Sequence, residues 1–310
     1  MTPPLLDSAD VARFVANGFL RFDAIVPPEI NEAFLAQIPG FERRDGEPLM
    51  AAYGRLIARS DIPEVPAGVP LAGAFAEGTP LARLLALPAV RGIITSLVGS
   101  APIFDHQFLH LALPSRVYGE ADPPQRSQPW HQDSTIDPRT RAFDIQIMYY
   151  PHEVTADAGG TRYLPGSHLR RVSEMAIGRY QNIRGQQHVV CPAGTLLVLH
   201  HGIWHGGGIN RGDGVRAMYK IRLNPSAPQV RCWDTTGLAE DTAQRPIFWR
   251  KGRDAPDAIH EILMTPPPWY EADTGRLELL QRVRLWRALT GRPDADVDYW
   301  LTRVENEPVA

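Results

Sequence analysis

The segment from residue 103 to residue 223 constrains the fold most, because short apolar stretches alternate there with turn-forming residues. Each stretch has the length and the β-branched or aromatic content of a strand, and Pro-, Gly- and Asp-rich turns separate neighbours. Strands that follow one another without intervening helices predict a sandwich or closed barrel rather than alternating βα units. The candidates are IFDHQFLHLAL (103–113), FDIQIMYY (143–150), TRYLP (161–165), GTLLVLH (194–200) and RAMYKIRL (216–223).

The first hundred residues carry helix signals instead. Asp7 or Ser8 can cap a short helix whose apolar residues recur at helical spacing, and Gly18 ends it. The other predicted elements here are a strand over FLRFDAIV (19–26), a helix that Pro27-Pro28 opens, and a helix over 80–98.

Charge and composition narrow the classes of function. The formal net charge of −3 gives no electrostatic case for nucleic acid or an anionic membrane as a partner. No stretch approaches the length of an apolar membrane span, and the first residues lack the basic and apolar pattern of a signal peptide. The two cysteines favour free thiols in a reducing compartment. A soluble cytoplasmic protein is therefore predicted, whereas composition leaves the oligomeric state open.

His131-Gln132-Asp133 places an imidazole and a carboxylate two residues apart. On an extended strand these two side chains share a face, and together they suit Fe(II), Mn or Zn. The pattern is short enough to arise by chance, so by itself it does not establish a metal site. A metal site also requires a third ligand from elsewhere in the chain. His205 is the best candidate, since three glycines follow it and Arg216, suited to binding a carboxylate, comes eleven residues later. His200 and His201 compete for the same role.

Four motifs in a fixed order resemble the phytanoyl-CoA dioxygenase family of Fe(II)- and 2-oxoglutarate-dependent oxygenases. They are WHQD (130–133), GGTRYLPGSH (159–168), WHGGGIN (204–210) and Arg216, and the spacings between them also fit. The resemblance covers roughly residues 7–223. It implies a mainly β fold with flanking helices and a double-stranded β-helix, or jelly-roll, core.

This core predicts one dioxygenase domain over residues 1–310. Its parts are N-terminal helices and a strand over 1–100, the jelly roll over 101–224, and a C-terminal extension over 225–310 that could act as a lid. Five of the tryptophans and one predicted helix, LELLQRVRLWRALTG (277–291), lie in that extension.

The resemblance also implies roles for individual residues. His131, Asp133 and His205 would be the iron ligands, and Arg216 would bind the distal carboxylate of 2-oxoglutarate. Three further positions are predicted to contact 2-oxoglutarate: Thr161 through its hydroxyl, Gly207 through its backbone, and Tyr149, where some relatives place a tryptophan. The substrate pocket is predicted to include Trp130, Gln132, His106, His110 and Trp204.

Asp133 also bears on the type of reaction that the resemblance implies. Halogenating relatives have a small residue at this position, so the aspartate indicates hydroxylation of an unactivated C–H bond, with release of succinate and CO₂. Fe(II), 2-oxoglutarate and O₂ are the expected cofactors and co-substrates. Two alternatives stay open: a zinc-dependent hydrolase that uses the same three ligands, and a non-catalytic ligand-binding protein of the same fold. The identity of the substrate cannot be predicted from these motifs.

Overall fold

Two antiparallel β-sheets form the centre of the computed structural model. The structure describes residues 3–120, 122–133, 144–169, 177–178, 182–227, 229 and 231–238. The large sheet has the order β1-β7-β4-β9-β3-β2 and the small sheet the order β6-β5-β8. The strands are β1 (Phe19–Phe22), β2 (Val69–Pro70), β3 (Ile103–Ala112), β4 (Ile145–Tyr150), β5 (Thr161–Tyr163), β6 (Gln187–His188), β7 (Thr195–His200), β8 (His205–Gly207) and β9 (Arg216–Asn224).

This arrangement is the predicted double-stranded β-helix, and all five strand candidates of the core are confirmed. The predicted strand over 19–26 is shorter, since β1 ends at Phe22 and a turn follows. A bridge between His131 and His205 places the residues around His131 alongside β8, at the edge of the small sheet.

The two faces of the large sheet pack against different partners, because successive side chains on a strand point to opposite sides. The outer face, which includes Ile147, Tyr149 and Tyr219, packs with the helices in one hydrophobic cluster. The inner face, which includes Met148 and Met218, packs in a second cluster with residues of the small sheet. The space between the two sheets is therefore lined by the inner faces of β4, β7 and β9.

Five α-helices flank this core: α1 (Ser8–Asn17), α2 (Pro28–Leu35), α3 (Leu49–Ala58), α4 (Pro80–Ala86) and α5 (Pro88–Val98). The predicted boundaries of α1 are confirmed. Asp7 and Asp10 form a reciprocal capping box, and Gly18 ends the helix with a φ of 76°. Short 3₁₀ helices cover Ser115–Val117, Ala156–Ala158 and Ser167–Leu169.

The prediction of one helix over 80–98 was wrong, because Pro88 divides the segment into α4 and α5. Proline disfavours helical backbone in the residue before it, and Leu87 accordingly has an extended ψ of 130°. The two helices meet at a bend of 69°. No single helix among the described residues is both long and apolar enough to cross a membrane. The predicted helix over 277–291 lies outside the described residues.

Candidate metal centre

Three side chains converge between the two sheets: those of His131, Asp133 and His205. One ligand atom from each lies within 4.8 Å of the other two. Nε2 of His131 is 3.6 Å from Oδ1 of Asp133, and Nε2 of His205 is 3.6 Å from Oδ2 of the same carboxylate. The His131–His205 bridge holds the two histidines side by side, with backbone hydrogen bonds of 3.0 and 2.9 Å. The competing His200 and His201 are not part of this group.

Both imidazoles present Nε2 to the centre, because Nδ1 of each is engaged elsewhere. Nδ1 of His131 donates to the Pro129 carbonyl at 3.0 Å, and Nδ1 of His205 donates to the Ile203 carbonyl at 3.0 Å. A carbonyl oxygen only accepts, so the proton is on Nδ1 and the lone pair on Nε2. Burial, with a contribution from His131, lowers the pKa of His205 to about 4. His205 is therefore neutral at pH 7, the form that binds metal ions.

Asp133 is held from both its side chain and its backbone. The Lys220 ammonium donates to Oδ2 at 3.0 Å, while Arg222 donates to the Asp133 carbonyl at 3.0 Å. The backbone N–H of Asp133 donates to the carbonyl of His201 at 3.2 Å. Burial opposes ionisation of the carboxyl, but His205 and Lys220 outweigh it and lower the pKa of Asp133 to about 2. The carboxylate is therefore ionised and fixed in orientation.

Arg216 lies at the start of β9, on the same face of the strand as Lys220 and Arg222. Its guanidinium is buried, and one Nη2 hydrogen bond of 3.0 Å reaches the Gly159 carbonyl. Nε and Nη1 are also buried, and within the described part of the chain they have no hydrogen-bond partner. A buried guanidinium with an unpaired edge fits a carboxylate, which accepts two parallel hydrogen bonds.

A cavity of about 210 Å³ reaches Arg216 from the side of β3. Tyr53, His110, Gln128 and Gly207 are among its lining residues. Burial, together with the charges of Lys220 and Arg216, lowers the pKa of His110 to about 3. The predicted pocket residue His110 is therefore a neutral side chain close to both Arg216 and the three converging residues.

Thr161 and Gly207 lie opposite each other in the small sheet, as paired residues of β5 and β8. The Thr161 hydroxyl accepts a hydrogen bond of 2.8 Å from the Tyr150 hydroxyl, which leaves its own proton available to a ligand. The backbone of Gly207 is already used: its N–H donates to the Gln128 side chain at 3.0 Å, and its carbonyl accepts from the Gln128 N–H. The structure therefore leaves Thr161 available but gives the Gly207 backbone another partner.

The three glycines after His205 serve close chain packing. A Cβ on Gly206 would lie 2.9 Å from the carbonyl oxygen of Gln128, and one on Gly208 would lie 3.0 Å from that of Gly160. Gly207, in contrast, has nothing closer than 3.6 Å. Glycine at 206 and 208 thus lets neighbouring backbone approach β8.

Tyr149 is not at the site. Its hydroxyl donates to Asn31 of α2 at 2.5 Å, and its ring packs edge-on against Phe34 at 5.3 Å. Both contacts are on the outer face of the large sheet. Met148 points inward instead, since a shift of one residue along a strand reverses the side.

Trp130 and Trp204 also lie away from the converging residues. They pack in a separate apolar cluster with Leu164 and Ile183, and the Arg162 guanidinium lies 4.9 Å from the Trp130 ring centre. Each tryptophan directly precedes a histidine of the centre, so strand alternation turns it to the other face of the small sheet. These two aromatic residues therefore support the sheet and do not line the predicted pocket.

The remaining predicted pocket residues differ in position. His106 is partly exposed, with Nδ1 2.7 Å from Asp105, and it faces Arg222 across β3 and β9. Gln132, which lies between His131 and Asp133 in the sequence, is half-buried. Sequence reasoning did not select Lys220, Gln146 or Phe108, all of which lie on the inner face. The alternation along β9 was the available signal, because it puts Lys220 and Arg222 on the face of Arg216.

A double-stranded β-helix that gathers two histidines and one aspartate defines a class of protein with a possible facial metal site. Residues 14–218 match the family described as phytanoyl-CoA dioxygenase (PhyH), and this chain belongs to that family. The resemblance drawn from the four motifs is thereby confirmed. None of the curated proteins compared with the chain matches it in sequence.

Several solved structures are similar to the chain. AviO1 from Streptomyces viridochromogenes has 19% identity, covering 73% of this chain and 98% of its own, with a TM-score of 0.49. HygX from Streptomyces hygroscopicus, with iron bound, has 14% identity, covering 72% and 88%, with a TM-score of 0.48. The epimerase SnoN, in complex with Fe³⁺, alpha ketoglutarate and nogalamycin RO, has 17% identity, covering 70% and 83%, with a TM-score of 0.48.

Proposed function

We propose that the chain is an Fe(II)- and 2-oxoglutarate-dependent dioxygenase that hydroxylates an unactivated C–H bond of a small organic molecule. One observation carries the proposal: the three potential ligands converge beside a buried Arg216 whose guanidinium edge has no partner in the described chain. The three potential ligands fit Fe(II), and the Arg216 guanidinium fits a carboxylate of 2-oxoglutarate.

The donor set fits Fe(II). Two imidazoles and one ionised carboxylate on one side of an ion leave its other positions open, as in non-haem Fe(II) oxygenases. His131, Asp133 and His205 would hold the ion, and the Nδ1 hydrogen bonds fix the orientation of both imidazoles. Lys220 holds one oxygen of Asp133 and so favours a single carboxylate oxygen as the ligand.

The surroundings of Arg216 fit 2-oxoglutarate. Nε and Nη1 would pair with the distal carboxylate, and the Thr161 hydroxyl would donate to the same group. When bound, the ion and the co-substrate supply oxidative decarboxylation with O₂, which gives succinate and CO₂ and oxidises the substrate. The protein's part is to position both groups.

A zinc-dependent hydrolase would use the same three ligands but would leave Arg216 without a role. A buried guanidinium that is hydrogen-bonded at one nitrogen only is costly unless a ligand completes it. The arginine therefore favours the oxygenase.

Anaerobic spectroscopy tests the proposal. Fe(II) is added first and 2-oxoglutarate second, and the expected result is a weak visible metal-to-ligand charge-transfer band, followed by succinate release once O₂ is admitted. Asp133→Ala should give neither, whereas Asp61→Ala, a change of an exposed aspartate, should give both. Bound Fe(II) without a band on addition of 2-oxoglutarate would contradict the proposal.

A further inference from the structure

Beyond the Arg216 cavity, the inner face of the large sheet carries a second group of polar side chains. Lys220 lies four residues after Arg216, about 13 Å further along β9 at the usual rise per residue. In the register of β4 and β9, Met148 is opposite Lys220 and Gln146 is opposite Arg222. Gln146 is therefore the diagonal neighbour of Lys220 on the same face, within reach of a shared ligand.

Lys220 is buried but only partly satisfied. Its ammonium has three N–H donors, and the one hydrogen bond it makes among the described residues goes to Asp133. Arg222 differs, because Asp144, Asp105 and the Asp133 carbonyl surround its guanidinium at 3.0 to 3.5 Å. Of these two cations, Lys220 is thus the one with donors to spare.

Gln146 is 0% exposed, yet neither its Oε1 nor its Nε2 has a hydrogen-bond partner in the described part of the chain. A buried amide without partners is costly, and such groups in native proteins call for a ligand or a bound water. The amide lies on the inner face, since its neighbour two residues on, Met148, belongs to the inner cluster. It is therefore a second unsatisfied group next to Lys220.

Charge balance indicates what the ligand carries. In the proposed enzyme, the charges of Fe(II) and Arg216 would balance those of Asp133 and the dianionic 2-oxoglutarate. Among the described residues, Asp133 is the one carboxylate within 4 Å of the Lys220 ammonium, and Fe(II) would share it, so part of the counter-charge of this buried cation would be missing. A group with a single negative charge would supply it.

Phe108 adds an apolar surface at the same place. It is opposite Lys220 in the register of β3 and β9, and it is 53% exposed, with its ring 4.5 Å from that of His110. An exposed aromatic ring beside a buried cation suits a molecule with an apolar body and an anionic end.

We infer that Lys220 and Gln146 bind a carboxylate of the prime substrate, while Phe108 packs against its body. The inference rests on the proposed function and names the class of substrate: small carboxylic acids rather than neutral compounds. Lys220 would donate to one carboxylate oxygen and Gln146 Nε2 to the other.

Benzoate and its neutral counterpart benzamide are the probes. Each is titrated by calorimetry into the anaerobic protein saturated with Fe(II) and 2-oxoglutarate, while the charge-transfer band is monitored. Benzoate should bind at least about ten-fold more tightly than benzamide, the usual effect of charged hydrogen bonds. The band should persist, which shows that benzoate has not displaced 2-oxoglutarate from Arg216.

Gln146→Glu supplies the second test, because it places a negative charge next to the bound carboxylate without touching a metal ligand. It should weaken benzoate binding at least about ten-fold, and the uncharged Gln146→Met should weaken it less. Gln186→Glu makes the same charge change far from this face, where Gln186 contacts Asn182 and His188, and should leave benzoate affinity unchanged.

The outcomes separate this inference from the proposed function. Equal affinity for benzoate and benzamide, no saturable benzoate binding, bleaching of the band by benzoate, or unchanged affinity in both Gln146 variants would each overturn the carboxylate site. Failure of the band to form before any benzoate is added would instead count against the iron and 2-oxoglutarate assignment.

Discussion

At the scale of single residues, two arginines of one strand illustrate how surroundings separate structural from ligand-binding roles. Arg216 and Arg222 are both buried on the inner face of β9. Asp144 and Asp105 lie against Arg222, so this guanidinium is neutralised within the protein. Arg216 has one backbone carbonyl and no carboxylate among its described partners. Its remaining donors are therefore set for an anion that comes from outside the chain.

Arg216→Lys tests this reading, since lysine keeps the charge but loses the paired N–H geometry. We expect the KM for 2-oxoglutarate to rise about ten- to a hundred-fold, the effect of losing one charged hydrogen bond. Fe(II) binding should remain, because Arg216 is not one of the three converging residues. Succinate release at varied 2-oxoglutarate measures the effect. Arg83→Lys, on the exposed side of α4, is the matched control, and an unchanged KM in Arg216→Lys would refute the role.

At the scale of elements, the end of α1 is tied to the PGSH motif. Gly18 adopts a φ of 76°, and a Cβ there would lie 2.4 Å from Nδ1 of His168. The His168 ring is also anchored to α1, since its Nε2 donates to the Val15 carbonyl at 2.8 Å. His168 thus fastens the first helix to the β core.

Gly18→Ala should destabilise the protein through both the backbone and this contact. The left-handed conformation alone costs about 1 kcal/mol for alanine, and the clash with His168 adds to it. Gly46→Ala separates the two effects, because Gly46 has a φ of 71° but no atom within 4 Å of an added Cβ. Urea unfolding should therefore show a larger loss of unfolding free energy for Gly18→Ala than for Gly46→Ala. Equal losses would mean that the His168 contact contributes nothing.

At the scale of the whole molecule, folding buries several histidines in their neutral form. Burial lowers the pKa of His168 to about 4 and that of His200 well below its ordinary 6.5. Their rings pack together at 4.7 Å, next to α1 and the end of β7. In the unfolded chain both take up protons near pH 6.5. Protonation therefore favours unfolding below that pH.

The free energy of unfolding should accordingly be greatest above pH 6.5 and fall as the pH approaches 4. His168 alone accounts for about 2 kcal/mol of this loss, because the unfolded state binds a proton that the folded state excludes. His168→Gln keeps a donor for the Val15 carbonyl but does not titrate, so its unfolding free energy should depend less on pH. Urea titrations at about pH 7 and about pH 4.5 give the comparison. The same pH dependence in both proteins would contradict the prediction.

Much of the architecture was predictable because its signals are local. The cap at Asp7, the stop at Gly18 and the five core strands follow from periodicity and turn residues, which act within a few positions. The break at Pro88 also follows from a local rule, which the prediction of one helix over 80–98 did not apply. Helix α3 was not predicted. The family resemblance selected His205 over its neighbours, which residue type alone could not do.

The sequence by itself determined the strand pattern and the ordered motifs, since a strand's faces and a motif's spacing are properties of one segment. Only the tertiary structure decided which residues share the site, because that depends on strand register and on which sheet face meets the helices. A shift of one residue turns Tyr149 outward and Met148 inward, and it turns Trp130 away from the face that His131 occupies. The same register places Gln146 and Phe108 around Lys220. Each of the two lies more than 70 residues before Lys220 in the chain, so no local pattern links them to it.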